Sequence, residues 1–398
     1  MHVIEMLRAA LECPEPDMTV VRETITEALS LSSSEIDAVL YQMLAELNRK
    51  LFPPITHLEL VHTEGCNLAC SYCFEKDILG YRKMSAEVAR KAIDLLFDYS
   101  FDSADLQITH FGGEPLLNFE NIRLSTEYAE QKAQRVNKTI KFDLTTNGLM
   151  LTDEVVAYLG DHNIMALVSV DGLASSHDRY RVDRGGKGTF DRVINRLSRL
   201  KAQQRWIGVK MTVMPLNVAS LYEDVTGLLT YGVNHFLIGH ATGVEWPKEA
   251  RDQYGRELAR LYEWYQKQDT SQVKIDGFDD GSMQEDPYFG CQAGRNSIAV
   301  TVKGEVSPCS KIMGFDSESL IGKLGDVWQG LTHLKNRSEL VTCGKLQTAC
   351  ASKGIANDFR GGCFAVNYGD SGNLYEPSLT EHEFTILKRS ACAGCGSH

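Results

Sequence analysis

From residue 57 to about residue 240, short apolar runs alternate with longer segments whose apolar positions recur at helical spacing. The runs HLELVHT, DLQITHF, IKFDLTT, IMALVSV, IGVKMTV and HFLIGHA read as strands. The segments between them, SAEVARKAIDLLFDYS, ENIRLSTEYAEQKAQRV, DEVVAYLGDH, TFDRVINRLSRLKAQ and VASLYEDVTGLLTYG, read as amphipathic helices. Strand–helix units in succession imply a parallel sheet with right-handed crossovers. Six units are fewer than the eight of a closed (β/α)8 barrel, so the expected fold is α/β, an open partial (β/α)6 barrel over residues 54–240.

The flanks have a different texture. Residues 1–53 read as helical, with helical spacing in VRETITEALSL and EIDAVLYQMLAELNRKLF, a cap at Ser33 or Ser34, and a stop at Pro53 and Pro54. Residues 241–290 read as a bridge: an exposed helix in WPKEARDQYGRELARLYEWYQKQ, then the loop DGFDDGSMQEDPYFG, where Asp279 and Asp280 are solvated charges. From Cys291 the chain becomes Gly-rich, Cys-rich and short-stranded, the pattern of a second domain over 291–398 organised by metal. There is no internal repeat and no low-complexity tract.

The composition is that of a soluble globular protein, with 43% hydrophobic and 24% charged residues in a chain of 398. A formal net charge of −12 weighs against nucleic acid or an anionic membrane surface as the main partner. No apolar run is long enough to span a bilayer, and no basic segment followed by a long apolar one opens the chain. A cytoplasmic protein is expected. In that reducing compartment the 11 cysteines are not a disulfide framework. Ten of them fall in two groups, Cys66, Cys70 and Cys73 early, then Cys291, Cys309, Cys343, Cys350, Cys363, Cys392 and Cys395. Such clustering suits thiolate ligands. Cys13 stands apart and reads as a small hydrophobe.

The early group lies on EGCNLACSYCFEKD, directly after the first strand. Parallel α/β sheets carry their chemistry at these carboxyl ends. Three thiolates on one loop can hold three irons of a [4Fe–4S] cubane and leave the fourth open, the mark of a catalytic metal site. The alternative is a zinc knuckle completed by a histidine such as His62.

The spacing CxxxCxxC, with Tyr72 before the last cysteine, resembles the radical S-adenosylmethionine (SAM) superfamily. The second strand ends in FGGEP, where Gly112, Gly113, Glu114 and Pro115 are similar to the family's GGE motif that receives the SAM amino group. The third strand runs into Thr145-Thr146-Asn147-Gly148 and the fourth into Ser169-Val170-Asp171-Gly172. The resemblance implies polar SAM contacts from Asn147, Ser169 and Asp171, with the serine at the ribose. It places Arg181 on the SAM carboxylate, a role suited to a planar guanidinium fork. The implied chemistry is reductive cleavage of SAM to methionine and a 5′-deoxyadenosyl radical, which removes a hydrogen atom from the substrate.

In the late group, Cys291 followed by twelve residues, Gly304, four residues and Cys309 resembles the opening of a SPASM domain, the auxiliary-cluster extension of some radical SAM enzymes. RGGCFAVNYGD around Cys363 is similar to a second SPASM segment. The spacing of Cys343, Cys350 and Cys363 is wider than the family's, and the cysteine expected after Glu376-Pro377 is missing. By analogy Cys291, Cys309 and Cys363 hold one auxiliary cluster with an open iron, and Cys343, Cys350, Cys392 and Cys395 hold a second. That makes three [4Fe–4S] clusters in all. A redox dithiol at Cys392-Ala-Gly-Cys395, or a zinc ribbon on the second set, are the other readings.

SPASM enzymes mostly modify peptides or proteins. Sulfatase maturases carry a proton-accepting aspartate in a PCD sequence, whereas this chain has Pro308-Cys309-Ser310, and serine is a poor base. FGGEPLLNF is more similar to the maturases of ribosomally made peptides. The resemblance therefore implies an oxidoreductase that installs a thioether or carbon–carbon crosslink in a precursor peptide, fed by an electron donor such as flavodoxin or ferredoxin. A formylglycine-generating sulfatase maturase is the alternative enzyme, and an iron–sulfur electron carrier the non-enzyme alternative.

Overall fold

The computed structural model describes residues 18–28, 32–278, 289–313, 315, 322–356 and 359–393. Cys13, Cys395, Asp279 and Asp280 lie outside them. Two helices come first, α1 (Met18–Ala28) and α2 (Ser33–Leu51). Ser32 caps α2, one residue before the expected caps. Its amide and hydroxyl both donate to the Glu35 carboxylate, at 2.8 and 2.5 Å, a capping box. The helix stops before Pro53, as the sequence requires.

The βα units follow: β1 (His57–Val61), α3 (Ala86–Tyr99), β2 (Asp105–Phe111), α4 (Phe119–Arg135), β3 (Thr139–Thr146), α5 (Asp153–Asp161), β4 (Ile164–Ser169), the single turn α6 (Ala174–His177), α7 (Phe190–Leu200), β5 (Gly208–Val213), α8 (Leu221–Leu229) and β6 (His235–His240). Every strand and helix expected between residues 57 and 240 is present. The helices form where apolar stripes meet good caps. In α3, for example, the Ser85 side chain accepts from the Val88 amide, and Val88, Ala92, Leu95, Leu96 and Tyr99 face the sheet.

After β6 come α9 (Lys248–Tyr265) and β7 (Lys274–Ile275), then β8 (Ser297–Val300), β9 (Glu305–Ser307), α10 (Ser310–Met313), β10 (Gly325–Asp326), α11 (Leu334–Thr342), α12 (Gly344–Ser352), α13 (Phe364–Ser371) and α14 (Leu379–Ala393). All strands belong to one 10-stranded sheet of order β10-β9-β8-β1-β2-β3-β4-β5-β6-β7. β1 to β7 run parallel, β8 joins β1 in parallel with His57 opposite Ser297, and β9 and β10 are antiparallel.

Two expectations change. The Cys-rich region is not a body held by metal alone. It extends the barrel sheet, and Ile298, Val300, Val306, Leu340 and Phe364 share one apolar core with Leu58, Ile108 and Val168. The helix α9 is not an exposed one. It buries Tyr254, Leu258, Leu261 and Tyr265, and it packs on α14, where Arg251 pairs with Glu383 at 2.8 Å. Its polar pattern reflects only the outward face.

α1 and α2 bury a small core of their own, Val21, Ile25, Ile36, Leu40 and Leu44. α2 is locked to the C-terminal region through Arg337, which is 1% exposed. Its guanidinium donates to Asn48 Oδ1 at 2.7 Å, Pro53 O at 2.7 Å and Gly294 O at 3.3 Å. Among the described residues no helix is long and apolar enough to cross a membrane.

Candidate active site

The loop after β1 carries Cys66, Cys70 and Cys73, all partly exposed free thiols. Backbone bonds clamp it in place. Ala69 N donates to Val182 O at 2.9 Å, Ser71 N to Tyr180 O at 3.3 Å, and Arg184 Nε to Cys66 O at 2.9 Å. The loop is also bonded to the end of β2, where Gly113 N donates to Thr63 O at 3.1 Å and Glu114 N to Gly65 O at 2.8 Å. This close approach explains both glycines. A Cβ at Gly112, whose φ is +127°, would stand 2.5 Å from Thr63 O, and one at Gly113 would stand 2.5 Å from Gly65 O.

A cavity of about 430 Å³ opens at the carboxyl ends of the strands. Cys66, Cys70, Tyr72, Cys73, Gly112, Gly113, Asn147, Ser169 and Arg181 all reach its wall. Glu114, Pro115 and Asp171 do not. They stand behind it and hold it in shape. The buried Glu114 carboxylate accepts from Leu116 N at 3.1 Å, Thr146 Oγ at 2.8 Å and Asn147 N at 2.8 Å, which ties the β2 end to the β3 end. Burial pushes its pKa up to about 7, against those three donors. Asp171 accepts from Arg181 Nε at 2.8 Å and Nη2 at 3.1 Å, from Thr212 N at 2.9 Å, and from the Tyr72 hydroxyl. Burial pulls the Arg181 guanidinium toward neutrality, but the Asp171 charge more than offsets it and holds it cationic. That cation sits 5.4 Å from the Tyr72 ring and is an electrostatic neighbour of Cys70.

Burial pushes the Cys66 and Cys73 thiols up to about 11. Water alone therefore does not favour their thiolates, whereas a bound metal deprotonates such ligands outright. Asn147 Nδ2 lies 3.9 Å from Cys66 Sγ and Leu68 N 3.4 Å from it, so donors face the sulfur. The donor set, its mutual electrostatic contact and the open cavity beside it fit an iron–sulfur cluster with one free coordination position. Among the described residues no three His, Cys, Asp or Glu side chains converge to hold a single metal ion. A cubane takes its thiolates on separate irons.

Other wall residues escape motif reading. Lys210 sits in the buried strand β5 and Lys311 follows Ser310. Lys388 reaches back from α14 to Ile238 O at 3.3 Å. Lys210 is itself exposed at the wall; desolvation there, with Lys311 and Arg181 nearby, lowers its pKa. A lysine inside an apolar parallel strand was the one available signal. His240, given no role from sequence, also reaches the wall. It bonds to Glu381 at 3.0 Å and stacks on Phe384 at 3.7 Å. Of the other histidines, His62 and His110 form a buried chain with Asn121 and Thr126 away from the cavity. Ser310 is buried, with its amide donating to Glu59 at 2.8 Å, and stands off the wall.

In the late group, the Cys291 thiol lies in the fields of Cys363 and Cys343, and the Cys309 thiol in those of Cys363 and Cys291. The charged neighbours of Cys350 are Glu376 and Lys353, and that of Cys392 is Lys388.

Residues 60–226 match the family model described as the Radical SAM superfamily. A serine-type anaerobic sulfatase-maturating enzyme of Bacteroides thetaiotaomicron is 26% identical over 245 residues, 54% of this chain and 58% of that one. The antilisterial bacteriocin subtilosin biosynthesis protein AlbA of Bacillus subtilis is 25% identical over 274 residues, 65% of this chain and 56% of that one. The solved structure of anSMEcpe with bound AdoMet and Cp18Cys peptide superposes with a TM-score of 0.66 at 18% identity, covering 85% of this chain and 97% of that one. The chain spans 59%, 37% and 58% of the length of the curated relatives it matches first.

Proposed function

From the radical SAM domain that this chain carries, we propose that it is a peptide maturase that installs a thioether or carbon–carbon crosslink in a ribosomally made precursor. The observation that carries the reading is the shared cavity. One wall is the Cys66–Cys73 loop with the strand ends of β2 to β4, and the facing wall includes Lys311, two residues beyond Cys309, and Lys388 of α14. A SAM site and the Cys-rich region therefore border one space, where a peptide segment would lie. When bound, a cluster on the triad and SAM supply a 5′-deoxyadenosyl radical, given one electron from a flavodoxin- or ferredoxin-class donor.

The chain's own residues hold the reactants. Gly112 and Gly113 leave room at the β2 end, Asn147 and Ser169 offer polar groups at the wall, and the Asp171–Arg181–Tyr72 unit fixes the loop around Cys70. The likeness to AlbA supports a ribosomal-peptide substrate. Ser310, in the place where the sulfatase maturases carry an aspartate, weighs against formylglycine formation. Formylglycine formation remains the second reading because a sulfatase maturase is among the relatives.

Co-expression with the peptide encoded beside this gene, followed by mass spectrometry, tests the proposal. A loss of two hydrogens is expected. If the thiols stay alkylatable the bond is carbon–carbon, and if one no longer reacts it is a thioether. An unmodified peptide, together with aldehyde formation on a sulfatase-derived peptide, would replace the proposal with the second reading.

A further inference from the structure

Four late cysteines, on four separate segments of one core, are electrostatic neighbours in overlapping pairs: Cys291 with Cys363 and Cys343, and Cys309 with Cys363 and Cys291. Cys291 precedes β8, Cys309 lies between β9 and α10, Cys343 sits at the break between α11 and α12, and Cys363 opens α13. The sequence-based division put Cys343 with Cys350, Cys392 and Cys395, but the structure gives it other neighbours. A Cβ on Gly290 would stand 2.6 Å from Cys343 Sγ and 3.4 Å from the Phe364 ring. The Cys343 sulfur thus touches the backbone beside Cys291, while the residue after Cys363 closes in from the other side.

The backbone is bent to place it there. Cys343 has φ 52° and ψ 19°, the left-handed region, where α11 ends and α12 begins. A side chain rarely adopts that conformation, and glycine or asparagine would be the relaxed choice. Cysteine there turns its sulfur into the protein, fully buried. Hydrogen-bond donors already face the group. The amides of Ala293 and Phe364 lie near Cys291, that of Ile312 near Cys309, and the Arg295 side chain near Cys343, whose own thiol donates to Leu340 O at 3.0 Å. Such donors suit a cluster's thiolates.

The space toward Cys350 is filled by apolar side chains. Leu346 lies between Cys343 and Cys350 on α12 and is fully buried. A Cβ on Gly361 would stand 2.5 Å from Leu346 and 3.0 Å from the Phe289 ring. Leu346, packed on Gly361, thus stands between Cys343 and Cys350 along α12.

We propose that Cys291, Cys309, Cys343 and Cys363 together hold one fully cysteine-ligated auxiliary cluster, and that the chain carries two [4Fe–4S] clusters in place of the three expected from its motifs. The proposal rests on the cluster-binding reading above. It removes the open auxiliary iron, so that cluster has no free position for a substrate atom.

Anaerobically reconstituted full-length protein should contain about eight irons per chain, four per cubane. Replacing Cys66, Cys70 and Cys73 together by alanine should leave about four. In that background Cys343→Ala should lose the remaining cluster or change its reduced electron paramagnetic resonance spectrum, with Cys343→Ser as a second variant and circular dichroism confirming the fold. A triple Cys350→Ala, Cys392→Ala, Cys395→Ala variant should keep about eight irons. About twelve irons in the unaltered protein, a loss of four in the triple variant, or an unchanged spectrum in folded Cys343→Ala and Cys343→Ser would each overturn the proposal. SAM cleavage is measured separately. Its absence with about eight irons bound overturns the proposed function and leaves the two-cluster assignment standing, whereas absence of iron altogether overturns both.

Discussion

Asp171 joins the cysteine loop, through Tyr72, to Arg181 and to Thr212. Its side chain is fully buried and accepts from Arg181, Thr212 and Tyr72 at once. Replacing it by asparagine keeps the shape, removes the charge, and aims an amide donor at groups that are themselves donors. Arg181 is then a buried cation without its partner. Removing one member of a buried pair costs about 3–5 kcal/mol, chiefly through the charge left behind. Against an m-value of about 3 kcal/mol/M, this moves the urea midpoint down by about 1–1.7 M. Far-UV circular dichroism of the apo-protein reads the shift. Asp153→Asn is the control. It breaks the exposed pair with Arg199 at 2.8 Å and should cost no more than about 1 kcal/mol. Asp171→Asn with a midpoint equal to that control would refute the view that this pair holds the loop.

Three further outcomes are expected. Gly113→Ala drives a Cβ to 2.5 Å from Gly65 O. It should cost about 1–3 kcal/mol and lower iron uptake at the triad, while Gly344→Ala, where a Cβ meets nothing within 4 Å, should leave iron content unchanged. Arg337→Met strands the acceptors of Asn48, Pro53 and Gly294; a loss of about 3 kcal/mol or more should accompany faster proteolysis within residues 32–51, and equal digestion rates would count against the anchor. The pH dependence has two opposing parts. Burial holds His62 and His177 down to about 4, below the roughly 6.5 of an unfolded histidine, so their contribution is present above 6.5 and lost as pH falls toward 4. Glu114, raised to about 7 from 4.5, contributes below 4.5 and loses it as pH rises to 7. Glu114→Gln should therefore steepen the rise of stability between pH 4.5 and 7, and an unchanged slope in urea midpoints would show that Glu114 is ionised throughout.

Much of the barrel was legible because buried parallel strands are nearly continuous apolar runs and their helices are amphipathic. The triad was legible because its spacing is local. What escaped reading depends on distant pairs. β8 is four residues long, SIAV, too short to announce itself as a partner of β1, so the joined sheet was missed. The polar face of α9 hid the face that meets α14. The partners of Asp171 at positions 72, 181 and 212 join segments far apart in the chain, which motif reading does not show. Cys343 was grouped by analogy with the family's motif, which carries no sign of the left-handed conformation it has between two helices. Lys388 reaches the cavity only because α14 folds back over the β6 end.

The central claim is that Cys66, Cys70 and Cys73 build a site that cleaves SAM. Anaerobically reconstituted protein, given SAM and dithionite, is assayed by liquid chromatography for 5′-deoxyadenosine. The account predicts that 5′-deoxyadenosine forms with the unaltered protein and is absent with Cys70→Ala. Fully loaded protein that yields no 5′-deoxyadenosine, or a Cys70→Ala variant that yields as much as the unaltered chain, would contradict it.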